Sequence, residues 1–462
     1  MDILNNEIIA ELKNTGKKIF LVGGTVRDYL LNRPTYDRDL IVIDEDARVF
    51  SENLAKTLDA TFIPLDEENK IYRLVLKDKL NYLDITNPIE NDLDKDLQRR
   101  DFTINALAMD INTGEILDKS GGKKDLEQGI IRMISEKNFD DDPLRILRAY
   151  RFQAGLGFDI ENETLNAIKS RVELISKPAV ERINVEILKL FEGKYTVKAL
   201  FALDEVGLLD KLFPPMIDVK KVPPNSHHHL DLLHHSIEVV NQIQQLYEES
   251  CDEVKKELEK SDFGGASRLA HIKLVGLLHD IGKFSTWTIE ENDRHRFLKH
   301  DDVGSKMAEK MLKEMHFSKK QIEYISTQIR LHIYPSGVLQ APNLSEKHYM
   351  RYIRKMEGSV VDNIILAKAD RLSAQGKDIT KEILETNLSG LNKMLNYYLE
   401  IRDSLKPLPK LLDGNEVMEI LEIKPSPVLG QIMEALHEAQ ISSDVTNKEE
   451  AILFVKDFAK NL

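Results

Sequence analysis

The first third of the chain alternates short apolar runs with amphipathic stretches, which is typical of strands and helices that follow one another. The apolar run from Lys18 to Val22 predicts a buried strand, Gly23 and Gly24 break it, and Thr25 begins a short helix. Further strands are predicted for 38–43, 61–64, 71–76 and 81–86, and a helix for 47–58. The pattern therefore predicts a small mixed sheet backed by helices.

After this sheet the hydrophobic spacing is helical, interrupted by a proline-rich stretch at 213–226 that predicts a link between domains. The chain has 462 residues, which is more than one ordinary core accommodates. We predict an α+β protein with a mixed-sheet head at 1–135, a helical neck at 136–215, a second helical domain at 225–400 and a helical tail at 401–462.

The strand, glycine turn and helix at the start of the head predict an anion-binding site. Gly23 and Gly24 let the backbone approach a bound anion closely, and the N–H groups at a helix start favour phosphate. Arg27, followed by Asp28, adds a guanidinium that can pair with phosphate oxygens. We expect this turn to bind the phosphates of a nucleotide.

Three aspartates on neighbouring strands predict a metal site beside this turn. Asp37 and Asp39 alternate along one strand, so both carboxylates lie on the same face. Paired carboxylates repel unless a cation lies between them, and their hard oxygen ligands suit Mg²⁺. Asp84, in the strand predicted for 81–86, supplies a third acid. These acids and the phosphate site together indicate attack of a 3′-hydroxyl on the α-phosphate of a nucleoside triphosphate.

A charged helix start further along indicates how the base of that nucleotide is chosen. Pro143 follows a run of acids, which is typical of a helix N-terminus, and Asp142 and Arg145 share one face of this helix. A carboxylate accepts from an exocyclic amine, while a guanidinium donates to ring acceptors. This pair predicts acceptance of CTP and ATP and rejection of UTP and GTP without a template. The alternative interpretation is a capped helix whose arginine stripe faces solvent.

The composition indicates the cellular compartment and the type of binding partner rather than the reaction. The net charge of −14 argues against a general nucleic-acid coat but leaves room for RNA held along a local basic surface. The single cysteine, Cys251, excludes an internal disulfide framework and favours the cytoplasm. No apolar run approaches the roughly 18 residues of a membrane span, and the acidic start predicts neither a signal nor a transit peptide.

The order Gly23-Gly24-x-x-Arg27, followed by Asp37-x-Asp39, resembles the signature of the class II tRNA nucleotidyltransferase and bacterial poly(A) polymerase family. That family belongs to the polymerase-beta nucleotidyltransferase superfamily. The resemblance implies a polymerase-beta-type head, Mg²⁺ as its cofactor, and addition of C and A residues to the 3′ end of tRNA from CTP and ATP.

Two further motifs carry the same resemblance. The run 98–109, which has the pattern of a helix with an apolar face, resembles the second family motif, whose arginine and aspartate meet the ribose and whose asparagine helps to hold the triphosphate. The charged helix start resembles the nucleotide-selecting motif, although Asp141 stands where the family usually has glutamate. The resemblance implies that these motifs bind the nucleotide through Arg100, Asp101, Asn105, Asp142, Arg145 and Arg148.

Histidines and acids recur on helical segments after the proline-rich link, and imidazole with carboxylate is a usual ligand set for divalent transition metals. This part resembles an HD-type metal phosphohydrolase domain, which implies phosphatase or phosphodiesterase chemistry and a metal such as Mn, Ni, Co or Fe. The implied ligands are His235, His279, Asp280 and Asp370, with His300 and His332 for a second metal. His234 rivals His235 for the first position, and the triplet 227–229 is interpreted as incidental.

Several activities stay open at this point. The segment between Thr86 and Asp96 is short where complete CCA-adding members usually have a longer flexible loop, and a short loop accompanies members that add only the two cytidines. We expect CCA addition, with addition of CC alone or A alone as the alternative. A poly(A) polymerase is a further alternative, although the tail lacks the strongly basic character common there. The last is an HD phosphohydrolase whose head only binds tRNA or a nucleotide. Either a monomer or a dimer fits the sequence.

Overall fold

The computed structural model describes residues 7–35, 37–79, 81–226, 229–290, 294–356 and 358–460, so His227 and His228 of the histidine triplet lie outside the described residues. The chain divides into two compact units, the first ending at Pro214 and the second beginning at Pro215. The domain boundaries that the sequence suggests near residues 135 and 400 stay predictions. No helix in the described ranges is long and apolar enough to cross a membrane.

The first unit opens with a mixed sheet. Its strands are β1 (Ile19–Val22), β2 (Asp37–Val42), β3 (Thr61–Asp66), β4 (Ile71–Val75), β5 (Tyr82–Thr86), β6 (Ala108–Asp110) and β7 (Ile116–Leu117). They lie in the order β3-β4-β5-β2-β1-β6-β7. β2 and β5 are parallel and place Asp39 opposite Asp84, whereas β1 pairs antiparallel with β2 and β6. The register therefore brings the predicted metal-binding acids side by side.

The helices of this region are α1 (Glu7–Asn14), α2 (Gly24–Leu30), α3 (Ala47–Leu58), α4 (Leu93–Gln98) and α5 (Gly122–Gln128), of which α2 and α3 pack on the sheet. α3 has the bounds predicted from the sequence. Its first turn is capped by Asp46, whose side chain accepts from the N–H groups of Arg48 and Val49. The apolar face of α3 packs on β4 and β5 through residues such as Phe50 and Leu54, which are almost fully buried. Capping and an amphipathic pattern both specify this helix.

The helix predicted for 98–109 is wrong. α4 ends at Gln98, a 3₁₀ turn follows at Thr103–Asn105, and β6 begins at Ala108. The Asp101 carboxylate accepts from the N–H of Phe102 at 2.8 Å and from Nδ2 of Asn105 at 2.9 Å. These local bonds hold the chain in a turn, and pairing of β6 with β1 takes the next residues into the sheet.

The first unit continues with α6 (Glu136–Asp141), α7 (Leu144–Leu156), α8 (Asn162–Lys169), α9 (Val180–Glu192), α10 (Thr196–Glu205) and α11 (Leu208–Leu212). Two short strands, β8 (Ile130–Ile131) and β9 (Asp159–Ile160), pair in parallel. α7 begins directly after Pro143, as predicted, and packs against α9 and α10. Ile146, Leu147 and Tyr150 are fully buried, so α7 is anchored in the interior of the first unit.

Where the structure describes it, the second unit is helical apart from one hairpin. Its elements are α12 (Met216–Val219), α13 (Leu232–Glu249), α14 (Asp252–Leu258), α15 (Arg268–Leu278), α16 (Lys283–Thr286), β10 (Trp287–Ile289), β11 (His295–Phe297), α17 (His300–Glu314), α18 (Lys319–Arg330), α19 (Tyr334–Leu339), α20 (Glu346–Met356), α21 (Val360–Ser373), α22 (Lys381–Ile401), α23 (Gly414–Leu421), α24 (Pro427–Ile441) and α25 (Lys448–Lys460). α13 packs against α15 and α21, and every residue of α15 is buried. The last three helices share an apolar cluster that includes Val417, Leu436 and Val455. The sheet-based head and the helical remainder confirm the predicted α+β class.

Candidate active site and metal centre

The glycine turn after β1 is shaped by a backbone conformation that favours glycine. Gly23 has φ +66°, and its N–H donates to the carbonyl of Leu107 at 3.1 Å. A Cβ added at Gly23 would come closer than 3.0 Å to Nη1 of Arg100. A side chain there would be strained by φ, and it would require the flexible end of Arg100, which faces the turn, to move.

Arg27, on the first turns of α2, is held in a fixed orientation. Its Nε and Nη2 donate to the two carboxylate oxygens of Asp28 at 2.9 and 2.8 Å, and its Nη1 donates to Oδ1 of Asn105 at 2.8 Å. Asp28, predicted to bind the nucleotide, thus contacts Arg27 in this structure. The hydrogen bond from Arg27 to Asn105 joins the guanidinium of the first predicted motif to the side-chain amide of the second.

The three predicted metal-binding acids lie on adjacent strands with different surroundings. Asp37 is exposed, whereas burial raises the pKa of Asp39 to about 6, with the carboxylates of Asp84 and Asp37 adding to the rise and Arg100 opposing it. Arg73 donates to both oxygens of Asp84, at 2.8 and 2.7 Å. Crowded carboxylates of this kind fit a hard divalent cation, because the cation offsets both the burial of the Asp39 charge and the repulsion from its neighbours.

Asp101 is a buried acid of the head that several side chains surround. Arg148 donates from Nε to its Oδ2 at 2.7 Å, and Asn105 donates to its Oδ1. Burial alone would raise the pKa of Asp101, but the charge of Arg148 and these hydrogen bonds outweigh it and lower that pKa. Glu186 on α9 holds the arginines from the other side, with Oε2 at 2.8 Å from Nε of Arg151 and Oε1 at 3.6 Å from Nη1 of Arg148. The ionised state of Asp101 is therefore built into the fold.

Asp142 and Arg145, the predicted base-selecting pair, are held by different partners. Asp142 lies in the connection between α6 and α7, and its Oδ2 accepts from Nη2 of Arg182 on α9 at 2.8 Å. Arg145 donates from Nη1 to the carbonyl of Asn138 at 3.1 Å. Each side chain is thus oriented separately, which leaves part of its hydrogen-bonding capacity for a ligand.

One cavity of about 340 Å³ brings the predicted motifs together. Its lining comprises Gly24, Arg27, Asp39, Arg100, Asp101, Asn105, Asp142, Arg145, Arg148, Arg151 and Phe152. The remaining predicted residues of the head, Gly23, Asp28, Asp37 and Asp84, adjoin this lining through the turn, the ion pair and the strand register described above. A metal-binding acid and the base-selecting pair therefore share one cleft, while the roles of the individual residues stay predictions.

Three residues of this region were not predicted to bind or select the nucleotide. Arg151 and Phe152 line the cavity, and the guanidinium carbon of Arg151 lies 4.0 Å from the ring centroid of Phe152. Phe152 shares a face of α7 with Arg145 and Arg148, and that helical spacing could have found it. Arg182 contacts Asp142 from a helix 40 positions downstream, a distance along the chain across which a sequence carries no signal of contact.

The histidines and acids of the second unit converge on a buried centre. His235 is fully buried on α13, and its Nε2 lies 3.2 Å from Oδ1 of Asp370 on α21. His279, directly after α15, has Nε2 at 3.0 Å from Oδ2 of Asp280. His234 is exposed instead, with Nδ1 at 2.7 Å from Asp231. The geometry thus brings His235 rather than its rival to the centre.

Asp280 lies between two ligand groups. One consists of His235, His279 and Asp280 and the other of Asp280, His300 and His332, and within each group the candidate ligand atoms lie within 4.8 Å of one another. Nδ1 of His279, His300 and His332 lies 2.6–2.8 Å from a backbone carbonyl, which directs Nε2 of each ring inward. Nε2 of His300 and Nε2 of His332 then face each other at 3.2 Å. Inward-facing nitrogen atoms around a carboxylate fit divalent metal ions.

The electrostatics of this centre follow from its burial and its charges. Burial lowers the pKa of His279, but the adjacent Asp280 and Asp370 outweigh it and raise that pKa to about 10. Burial and the neighbouring imidazoles of His279 and His300 lower the pKa of His332 to about 4. The pKa of Asp280 is held well below its usual range, because His279 and Lys283 outweigh its burial.

Head, neck and second unit all match known protein families. Residues 19–132 match the "Poly A polymerase head domain", residues 157–219 the "Probable RNA and SrmB- binding site of polymerase A", and residues 232–375 the "HD domain". The head and the HD domain are both of types that use divalent metal ions. These matches and the shared cleft define a nucleotidyltransferase head joined to a metal-dependent phosphohydrolase-type domain.

Three relatives span nearly the whole chain. The CC-adding tRNA nucleotidyltransferase of Thermus thermophilus is 30% identical over 449 residues, covering 96% of this chain and 94% of that protein. The A-adding tRNA nucleotidyltransferase of Deinococcus radiodurans is 28% identical over 446 residues, covering 95% of each. The structure of the Thermotoga maritima CCA-adding enzyme complexed with tRNA has a TM-score of 0.56 and 22% identity, covers 99% of this chain and 97% of that one, and shares the fold. The chain belongs to the tRNA nucleotidyltransferase and poly(A) polymerase family.

Proposed function

We propose that this chain adds C and A residues to the 3′ end of tRNA from CTP and ATP without a nucleic-acid template. The observation that carries the proposal is the single cavity in which Asp39 of the sheet, the arginines of the glycine turn region and the Asp142/Arg145 pair meet. Chemistry and base choice in one cleft are what an enzyme without a template requires, because the protein itself must replace the template base.

In this proposal the head binds the sugar and phosphates. Arg27 and Arg100 contact the triphosphate and the ribose, and Asn105, already bonded to Arg27, orients the triphosphate. Asp101, kept ionised by Arg148, accepts from a ribose hydroxyl. Asp37 and Asp39, with Asp84 beside them, would hold Mg²⁺, which supplies charge neutralisation for the triphosphate and Lewis acidity for the attacking hydroxyl.

The neck chooses the base. The Asp142 carboxylate accepts from the exocyclic amine of cytosine or adenine, and Arg145 donates to the adjacent ring nitrogen. Uracil and guanine present a carbonyl where the carboxylate needs a donor, so that an acceptor faces an acceptor. These acceptors would remain unpaired in the cavity, and the free-energy cost of leaving them unpaired rejects UTP and GTP.

The test is extension of tRNA lacking its 3′ end by purified protein with CTP and ATP, followed by sequencing of the product. We expect CCA ends from the wild type, and no incorporation by Asp37→Ala or Asp39→Ala, both of which retain HD-dependent phosphatase activity. His279→Ala combined with Asp280→Ala reverses this pattern. Incorporation by the Asp37 and Asp39 variants would show that the head site is assigned wrongly.

Addition of CC alone is the second candidate. Its support is the short connection of residues 87–92 between β5 and α4, together with similarity along the whole chain to the Thermus thermophilus enzyme named as CC-adding. Addition of A alone draws comparable support from the Deinococcus radiodurans relative. The sequenced ends separate the three: a terminal A after two cytidines excludes both partial activities, and a long adenosine tract indicates a poly(A) polymerase instead.

The HD domain is proposed to hydrolyse a phosphate ester. Its support is the set of inward-facing imidazoles and carboxylates, whose nitrogen-rich composition suits a transition metal such as Mn, Ni, Co or Fe. Metal analysis of the purified protein identifies the ion, and phosphate release from p-nitrophenyl phosphate reports the activity. A tRNA-processing enzyme with a single cysteine, Cys251, fits the cytoplasm.

A further inference from the structure

We infer that Arg182 is a positioning residue for base selection, acting through Asp142. Arg182 is absent from the lining of the cavity, yet its Nη2 lies 2.8 Å from Oδ2 of Asp142. The side chain of Asp142 is 28% exposed and that of Arg182 is 53% exposed, so the pair lies at the rim of the cleft. This inference rests on the base-selecting role proposed for Asp142.

The backbone alone does not orient Asp142. The residue follows the last turn of α6 with an extended conformation, φ −143° and ψ 92°, and α7 starts two positions later. Besides Arg182, the contact recorded for its carboxylate among the described residues is a long hydrogen bond of 3.3 Å from the N–H of Leu144 to Oδ1. The charged bond to Arg182 is shorter, and it is therefore the main restraint on the direction of the carboxylate.

The two oxygens of the Asp142 carboxylate are proposed to have different partners. Arg182 occupies Oδ2, which leaves lone pairs of Oδ1 for the exocyclic amine of the incoming base. Without Arg182, the Asp142 carboxylate gains rotational freedom, and it can then turn away from a carbonyl that stands in place of the amine.

The chain offers a matched control at α6. Arg171, which follows α8, bonds Asp140 at 2.8 and 3.2 Å and Glu136 at 2.9 Å, so it holds α6 but leaves Asp142 untouched. Arg171→Ala therefore reports the cost of loosening α6 in general. Arg182→Lys keeps the charge, and because the observed contact uses one nitrogen, lysine can replace much of it.

The experiment measures kcat/KM for single additions of CTP and of UTP to tRNA lacking its end, for the full-length wild type and each variant. We expect Arg182→Ala to lower the CTP/UTP ratio by about tenfold with the KM for tRNA unchanged. Arg182→Lys should retain most of the ratio and Arg171→Ala should match the wild type. Arg182→Gln, which keeps the stem of the side chain, replaces Arg182→Ala if the alanine variant fails to fold.

Four results decide against the inference, and they are distinguishable. An unchanged ratio in Arg182→Ala, while Asp142→Ala loses discrimination, overturns the role of Arg182 and leaves base selection in place. A higher KM for tRNA with an unchanged ratio assigns Arg182 to RNA binding instead. An unchanged ratio in Asp142→Ala overturns the base-selecting role itself. Equal losses in Arg171→Ala and Arg182→Ala also overturn the inference, because they indicate loosening of α6.

Discussion

Gly23→Ala is a sharp test of the glycine turn, because the structure predicts two separate consequences. Gly23 has φ +66° and ψ −131°, a conformation that alanine adopts only under strain. The new Cβ would also come closer than 3.0 Å to Nη1 of Arg100. The guanidinium of Arg100, which now contacts Asp96 at 3.2 Å and the carbonyl of Asn105 at 3.4 Å, must then shift within the cavity.

The two consequences have different sizes and different readouts. Backbone strain of about 1–3 kcal/mol lowers the thermal midpoint of a unit of this size by about 3–9 °C. Displacing Arg100, which is predicted to contact the nucleotide, should cost about 10- to 100-fold in kcat/KM for incorporation. We therefore expect a protein that still folds at assay temperature but incorporates nucleotides poorly.

Gly16→Ala is the matched control for strain alone. Gly16 has φ +67°, but a Cβ there would have nothing within 4 Å, and the residue is remote from the cavity lining. We expect a lower thermal midpoint and wild-type incorporation from this variant. The reasoning is refuted if Gly23→Ala incorporates nucleotides at the wild-type rate, or if Gly16→Ala loses as much activity as Gly23→Ala.

Three further predictions follow from the two metal sites. Asp39→Asn should raise the thermal midpoint of the metal-free protein, because it removes a charge that burial disfavours, and a lower midpoint would contradict this. The same variant should not incorporate nucleotides. The pKa of Asp39 is about 6 in the folded protein and about 4 in the unfolded protein, so the free energy of unfolding of the metal-free protein should fall as the pH rises between these values. Mg²⁺ should therefore raise the thermal midpoint more at pH 7.5 than at pH 5. Elemental analysis should find less HD metal in His235→Ala and wild-type content in His234→Ala; equal loss in both would reject the choice of His235.

The parts of this molecule that the sequence predicted well are those with local causes. α3 has a cap, an amphipathic face and no glycine, and its predicted bounds agree with the structure. The strand alternation that placed Asp37 and Asp39 on one face is likewise local, since it depends only on the period of a strand. The register of Asp39 against Asp84 goes beyond local pattern, and the structure supplies it.

The parts that the sequence missed depend on contacts between distant segments. The run 98–109 has a helical pattern, but a turn around Asp101 and pairing with β1 override it. The hydrophobic periodicity does not show whether His234 or His235 faces the HD centre. The structure does, because His234 is bonded to Asp231 instead. Arg182 carried no local signal, because its role depends on where α9 packs.

The account depends on one cleft that both holds the triphosphate and selects the base. The most direct measurement is a crystal structure of the full-length protein with Mg²⁺ and a non-hydrolysable CTP analogue. We predict the α-phosphate beside Asp37 and Asp39 and the cytosine amine within hydrogen-bonding distance of the Asp142 carboxylate. A base bound away from Asp142 and Arg145, with the phosphates still at the glycine turn, would contradict the account.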